Sequence, residues 1–228
     1  MLYLISGIFG LMKKRIHTLI YFGVFVIVLF TGCFKDLMRS DIVYKNDFET
    51  GNFNNLSFSA YGSTVVTPPS DSFNGSKVLG RFNNGGMLLK LNDLPPHNAI
   101  QFSFDLYIHD NWEGDKIGFS GIPDLWAMRV NDSIQYYTTF SNSQYTQTYP
   151  NLMIGQPVSP PRANSILSTL PGVCLFKGKT DGSSYYRILQ TYAHTQSTFQ
   201  LQLSDALQGD KCTKSWSIDN IEIQAITY

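Results

Sequence analysis

The chain has 228 residues, 43% of them hydrophobic and 14% aromatic, with 17 basic against 17 acidic side chains. Without clustered Lys and Arg there is no electrostatic footprint for nucleic acid, and that class of partner is excluded. Glu occurs only at Glu49, Glu113 and Glu222, while Asn, Gln, Ser, Thr and Tyr are plentiful; such a surface suits neutral ligands such as glycans and is also ordinary in exported β-proteins.

Residues 12–33 open with Met12-Lys13-Lys14-Arg15, continue through the apolar run 16–30 and close with Thr31-Gly32-Cys33. A short cationic head, about fifteen apolar residues and small residues at the end make up a secretory signal. With its cysteine, the segment resembles a bacterial lipoprotein signal, although Phe30 stands where Leu is usual. The resemblance implies a signal peptide over residues 1–32, cleavage after Gly32, and acyl groups such as palmitate on Cys33 as the membrane anchor. It places the protein in the bacterial cell envelope, at the outer membrane or cell surface. An uncleaved signal anchor is the competing reading, with an apolar run shorter than the ~20 residues that span a bilayer. Met12 is the expected start, because a signal carries its charges at its front. Removal of Lys13, Lys14 and Arg15 leaves 14 basic against 17 acidic residues. A tether over residues 33–41 reaches roughly 25–30 Å when extended, which keeps the domain close to the membrane.

Beyond the signal no long segment has helical periodicity. Short runs rich in Val, Ile, Phe, Tyr and Thr recur between turn clusters, so residues 42–228 are expected to form one all-β domain. Strands are expected at residues 42–44, 56–67, 78–82, 87–91, 100–108, 125–130, 134–140, 185–193, 199–203 and 216–226. Alternation assigns faces: Phe102, Phe104, Leu106 and Ile108 point one way, as do Phe199, Leu201 and Leu203. Asn74-Gly75 and Asn83-Asn84-Gly85-Gly86 supply residues that tolerate positive φ in turns. Residues 111–123 and 145–172 are rich in Gly, Pro, Ser and Asn, and loops of the second length are functional or mobile more often than not. Cys174 and Cys212 remain as an even pair in an oxidising compartment and are expected to form a disulfide; two buried free thiols are the alternative.

Phe104-Asp105-Leu106-Tyr107-Ile108-His109-Asp110-Asn111-Trp112-Glu113-Gly114 resembles a stretch of secreted bacterial jelly-roll domains of the laminin-G or concanavalin A-like type. The segments 138–142, 192–198, 207–209 and 215–221, together with Asp47-Phe48-Glu49-Thr50-Gly51, extend the resemblance over nearly the whole mature chain. It implies a jelly-roll β-sandwich and an extracellular, non-catalytic role, without a ligand.

Two acidic groups are candidate calcium sites, since calcium takes six to eight oxygen ligands. One is Asp110, Glu113, Asp115 and Asp124 in a Gly-rich loop, for which a solvated turn is the alternative. The other joins Asp47 or Glu49 in the first strand to Asp219 in the last. Trp112, Trp126, Tyr136 and Tyr145 lie beside polar loops and form a candidate sugar platform; Trp126 is a core candidate too, and Trp216 is expected in the core. The chain has no closely spaced Glu-x-Asp-x-Glu carboxylates and no Gly-x-Ser-x-Gly elbow. His109 and His194 show no evident Ser or Cys partner. The expected function is therefore glycan binding by an envelope lipoprotein, against docking of another envelope protein, with hydrolysis third.

Overall fold

The computed structural model describes residues 38–65 and 67–228. The expected signal, Cys33 and most of the tether lie outside the described residues. One compact unit covers Arg39–Thr227. Among the described residues no helix is long and apolar enough to cross a membrane.

The unit is a jelly-roll β-sandwich of thirteen strands in two antiparallel sheets. One sheet has the order β10 (Leu167–Leu170), β11 (Ser183–Ala193), β7 (Ala99–Asp110), β13 (Lys214–Thr227), β5 (Ser76–Phe82), β4 (Ser70–Phe73). In it β1 (Arg39–Asn46) also pairs with β13, sharing its outer edge with β5. The other sheet runs β3 (Ser63–Val65), β2 (Leu56–Ala60), β6 (Gly85–Leu91), β12 (Phe199–Ala206), β8 (Leu125–Val130), β9 (Ser133–Thr138).

The expected alternation is observed. Phe102, Phe104, Leu106, Ile108, Phe199, Leu201 and Leu203 are buried between the sheets, each contributing about 1.5–3 kcal/mol relative to exposure. In β13 the buried parity switches from Trp216 and Ile218 to Ile221, Ile223 and Ala225. A bulge between Asp219 and Glu222 makes the switch, with Asn220 at φ 50°. Asn tolerates that left-handed conformation, and its side-chain amide donates to Asp105 Oδ2 at 2.8 Å. One extra residue thus re-aims the second half of the strand.

The structure departs from the expected strands at several points. Residues 56–67 are not one strand but the hairpin β2–β3, closed by Tyr61 and Gly62. The strands β4 and β10 were not foreseen; β4 pairs with β5 across the Asn74-Gly75 turn. The turn at residues 83–86 passes from one sheet to the other, so it is a corner and not a hairpin. Strand β1 begins at Arg39, ahead of residue 42. The long segment 145–172 is pinned by buried Gln147, whose Nε2 donates to the carbonyls of Tyr149 and Ala163 and whose Oε1 accepts from the amides of Ser141 and Arg162.

The register also defines two ends of the sandwich. Arg39, Thr227 and Ala193 gather at the Ala99 end of β7. Lys214, His109 and the Phe82–Asn83 corner gather at its Asp110 end, roughly 36 Å away along a strand of this length.

Candidate functional site

In the acidic loop protein donors take up most of the carboxylate oxygens, while Asp115 Oδ2 is buried without a partner among the described residues. Asp124 accepts from the Lys214 ammonium at 2.7 Å, from Glu113 N at 3.0 Å and from Gln208 N at 3.0 Å. Lys214 is buried there and also reaches Glu113 at 3.4 Å. Partial burial pushes the Glu113 carboxyl up, but hydrogen bonds and charge from Lys116 and Lys214 outweigh it and hold it below its ordinary value. Asp110 is buried and accepts from the amides of Cys174 and Phe176. Asp115 accepts from the hydroxyls of Thr139 and Thr148. Gly114 at φ 58° lets the loop close, since a Cβ there would lie 1.9 Å from the Thr146 carbonyl oxygen. Among the described residues no three His, Cys, Asp or Glu side chains gather to hold a metal.

The first and last strands do meet. Ser76 Oγ lies 2.6 Å from Glu49 Oε1 and 3.0 Å from Asp219 Oδ2. A hydroxyl has one proton, so it satisfies only one of the two carboxylates at a time. Burial, then the charges of Asp105 and Glu49, push the Asp219 carboxyl up to about 6. Asp47 stays apart and accepts from the Glu49 amide in a local turn.

The expected sugar platform is closed. Trp112 and Trp126 are fully buried and Tyr136 nearly so. Trp112 Nε1 donates to the Ser215 carbonyl at 2.8 Å, and its ring meets Phe140 edge-on. Trp126 packs edge-on against Tyr136, Phe140 and Trp216. The Tyr136 hydroxyl accepts from Gln190 at 2.6 Å. Tyr145 is half-buried, with the Lys116 ammonium 5.0 Å from its ring centroid. A polar loop sequence surrounds Trp112, yet the ring turns inward because the two sheets leave an apolar gap at that end. Trp216 is core, as expected.

His109 has serine partners, against expectation, whereas His194 pairs with another histidine. His109 is fully buried between Ser217 Oγ at 2.7 Å and Ser183 Oγ at 3.1 Å, and burial, then Arg81, lower its pKa to about 3. Sealed from solvent, this Ser–His contact has no route to a substrate. His194 stacks on His97 with ring nitrogens 2.7 Å apart. Cys174 and Cys212 are bonded, with Cα atoms 5.0 Å apart.

An open site lies at the Asp110 end of the sandwich, built from residues that carry no motif. A cavity of about 220 Å³ has apolar walls from Phe58, Val65, Pro69 and Phe82. Arg81 and Lys211 bring positive charge to it, and Tyr61 stands at its rim. Tyr61 is 77% exposed and occupies the first turn position of the β2–β3 hairpin at φ 50°, with Gly62 following at φ 77°. Two consecutive positive φ values make a type I′ turn, whose first position favours Asn, Asp or Gly. The Tyr61 amide donates to the Asn84 carbonyl at 2.6 Å, tying the hairpin to the corner. Lys211 is placed by its neighbour Cys212 in the disulfide and by Asp210, which accepts from the amide and hydroxyl of Thr213. Sequence reasoning missed Tyr61 by running a strand through it; the Tyr-Gly pair between two alternating runs is the signal that marks the turn.

No family model matches the chain, and no curated protein matches it. Among solved structures, it is similar to latent dimeric PorU from Porphyromonas gingivalis, with 8% identity and a TM-score of 0.42, over 83% of this chain and 13% of that one. It is also similar to the CBM22-1–GH10 modules of Clostridium thermocellum xylanase 10B, crystallised with xylohexaose, with 12% identity and a TM-score of 0.38, over 81% of this chain and 28% of that one. A third likeness is to the CBM2 module of the evolved Dit protein of Lactobacillus casei BL23 phage J-1, with 12% identity and a TM-score of 0.43, over 85% of this chain and 99% of that module. The chain therefore spans less than a third of the first two structures, and none is near enough to pass on a ligand.

Proposed function

We propose that this chain is a non-catalytic binding protein of the bacterial cell envelope, lipid-anchored at Cys33, that takes a carbohydrate at the cavity beside Tyr61. The observation that carries the reading is Tyr61 itself. A bulky residue in the left-handed region costs of order 1–3 kcal/mol, and here it stands where Asn would fit without strain while its ring faces solvent. An exposed ring beside a small cavity with polar groups can stack on a sugar face while those groups bond its hydroxyls. The site lies at the end of the sandwich away from Arg39. Calorimetry of the full chain against a polysaccharide panel tests this: Tyr61→Ala abolishes the binding seen with the wild type, and a panel with no binder refutes the reading.

The anchor has its own test. Cys33→Ser leaves the membrane fraction if acylation holds the protein there, whereas unchanged membrane association points to an uncleaved signal anchor.

Docking of another envelope protein has one observation in its favour: Ile117 and Phe119 are exposed on the 111–123 loop, Phe119 fully so. Phe119→Ser leaves glycan binding intact on the first reading and removes partner binding on this one.

A further inference from the structure

Resting on the reading of the Tyr61 cavity as a sugar site, we propose that its ligand is an acidic sugar, a hexuronate whose carboxylate pairs with Arg81 and Lys211 while its ring lies on Tyr61. The charge bookkeeping of the domain motivates this. Buried Lys214, for comparison, has both Asp124 and Glu113. At the cavity two cations face a single carboxylate. Asp71 Oδ2 accepts from Arg81 Nε at 3.0 Å, and Asp71 is itself half in solvent. Arg81 Nη1 is buried with no acceptor among the described residues. The cavity thus holds an excess of positive charge.

The surroundings select among anions. A guanidinium presents parallel N–H donors that match the two oxygens of a carboxylate. Apolar walls from Phe58, Val65 and Phe82 suit the face of a ring bearing one charge better than a compact, doubly charged phosphate. At about 220 Å³ the cavity is below the roughly 300–1,000 Å³ of sites for drug-sized ligands, which fits one sugar ring of a longer chain. Burial and the neighbouring Arg81 also hold the Lys211 ammonium below its ordinary value, opposed by Asp71; an anion between the two cations would relieve that repulsion.

The test compares polygalacturonate with its fully methyl-esterified form by calorimetry on the full chain, since esterification removes the charge and keeps the sugar. The acid form is expected to bind at least tenfold more tightly, with the difference shrinking in high salt. Lys211→Met is exposed enough to fold and should lose most of that difference, while Asp71→Asn removes a competing carboxylate and should strengthen acid binding. Equal binding of acid and ester, both lost in Tyr61→Ala and untouched in Lys211→Met, overturns the acidic ligand and leaves the sugar site standing. A sulfated polysaccharide binding more tightly than any uronate overturns it in favour of sulfate. If no glycan binds but a peptide with a free C-terminal carboxylate does, both readings fall.

Discussion

Tyr61→Asn separates strain held for binding from ordinary packing. Asn at the first position of a type I′ turn followed by Gly is the favoured pair, so the substitution removes a conformational cost of order 1–3 kcal/mol. Against this stands the buried part of the ring. Tyr61 is 77% exposed, so about a quarter of a side chain that offers roughly 200 Å² is covered, worth about 1 kcal/mol at 25 cal/mol per Å². The net effect is a stabilisation between about zero and 2 kcal/mol, and at 2–4 °C per kcal/mol for a domain of this size the melting temperature rises by up to about 8 °C. Tyr61→Ala loses the same contact without relieving the turn, because Ala is also strained at positive φ, and its melting temperature falls by about 2–4 °C. Thermal unfolding of the three proteins by circular dichroism, with glycan binding measured on each, makes the comparison. Both variants lose binding, and they move in opposite directions in stability. A Tyr61→Asn protein that melts several degrees below the wild type would show that the ring is packed and the turn is not strained for function.

Trp112→Ala is expected to destabilise by about 3–5 kcal/mol as a buried large-to-small substitution, with loss of near-ultraviolet circular dichroism; a change under 1 kcal/mol would mean that the ring is not in the core. Breaking the Cys174–Cys212 bond removes a constraint across a 38-residue separation and is expected to cost about 4 kcal/mol in the chain-entropy picture; alkylation of the exported, unreduced protein should find no free thiol at either position. Asp205 and Asp219 both sit at about 6, chiefly through burial, above their unfolded values. Their folded states bind protons more tightly, so the stability they contribute is complete below about pH 4 and lost as pH rises through about 6. Glu49, Glu113, Glu222 and Asp210, held below their ordinary values, lose their contribution as pH falls below about 4. His109, lowered to about 3, and His194, lowered chiefly by burial, oppose the two aspartates as pH falls below about 6.5. Melting temperature is therefore expected to change little from pH 7 to pH 5 and to fall below pH 4, and Asp219→Asn, which leaves the histidines less opposed, should make it fall already between pH 7 and pH 5. We propose that calcium bridges Glu49 and Asp219 at Ser76: millimolar calcium then raises the melting temperature at pH 7, and no difference from chelator disposes of the site.

Much of the fold was legible in the sequence because period-two alternation is a local property. Phe102 to Ile108 and Phe199 to Leu203 reveal their buried faces with no knowledge of a partner strand, and Asn74-Gly75 reveals its hairpin by backbone chemistry alone. The even pair Cys174 and Cys212 was readable from count and expected compartment, and the bond is present. The parity switch of β13 was also written in the chain, in the step from Trp216 and Ile218 to Ile221 and Ile223, but it takes the bulge at Asn220 to explain it. The site was not legible. Whether Trp112 faces water or the core depends on how two distant sheets close over it, and a ring flanked by polar loop residues reads the same in both cases. Whether Asp110, Asp115 and Asp124 are free to bind a cation depends on amides of Cys174 and Phe176, hydroxyls of Thr139 and Thr148 and the ammonium of Lys214. Tyr61, Arg81 and Lys211 stand 20 and 130 residues apart in sequence and converge only because β13 pairs with β5 while the β2–β3 hairpin is tied to the corner after β5. Local chemistry set the strands, and long-range closure chose which side chains meet.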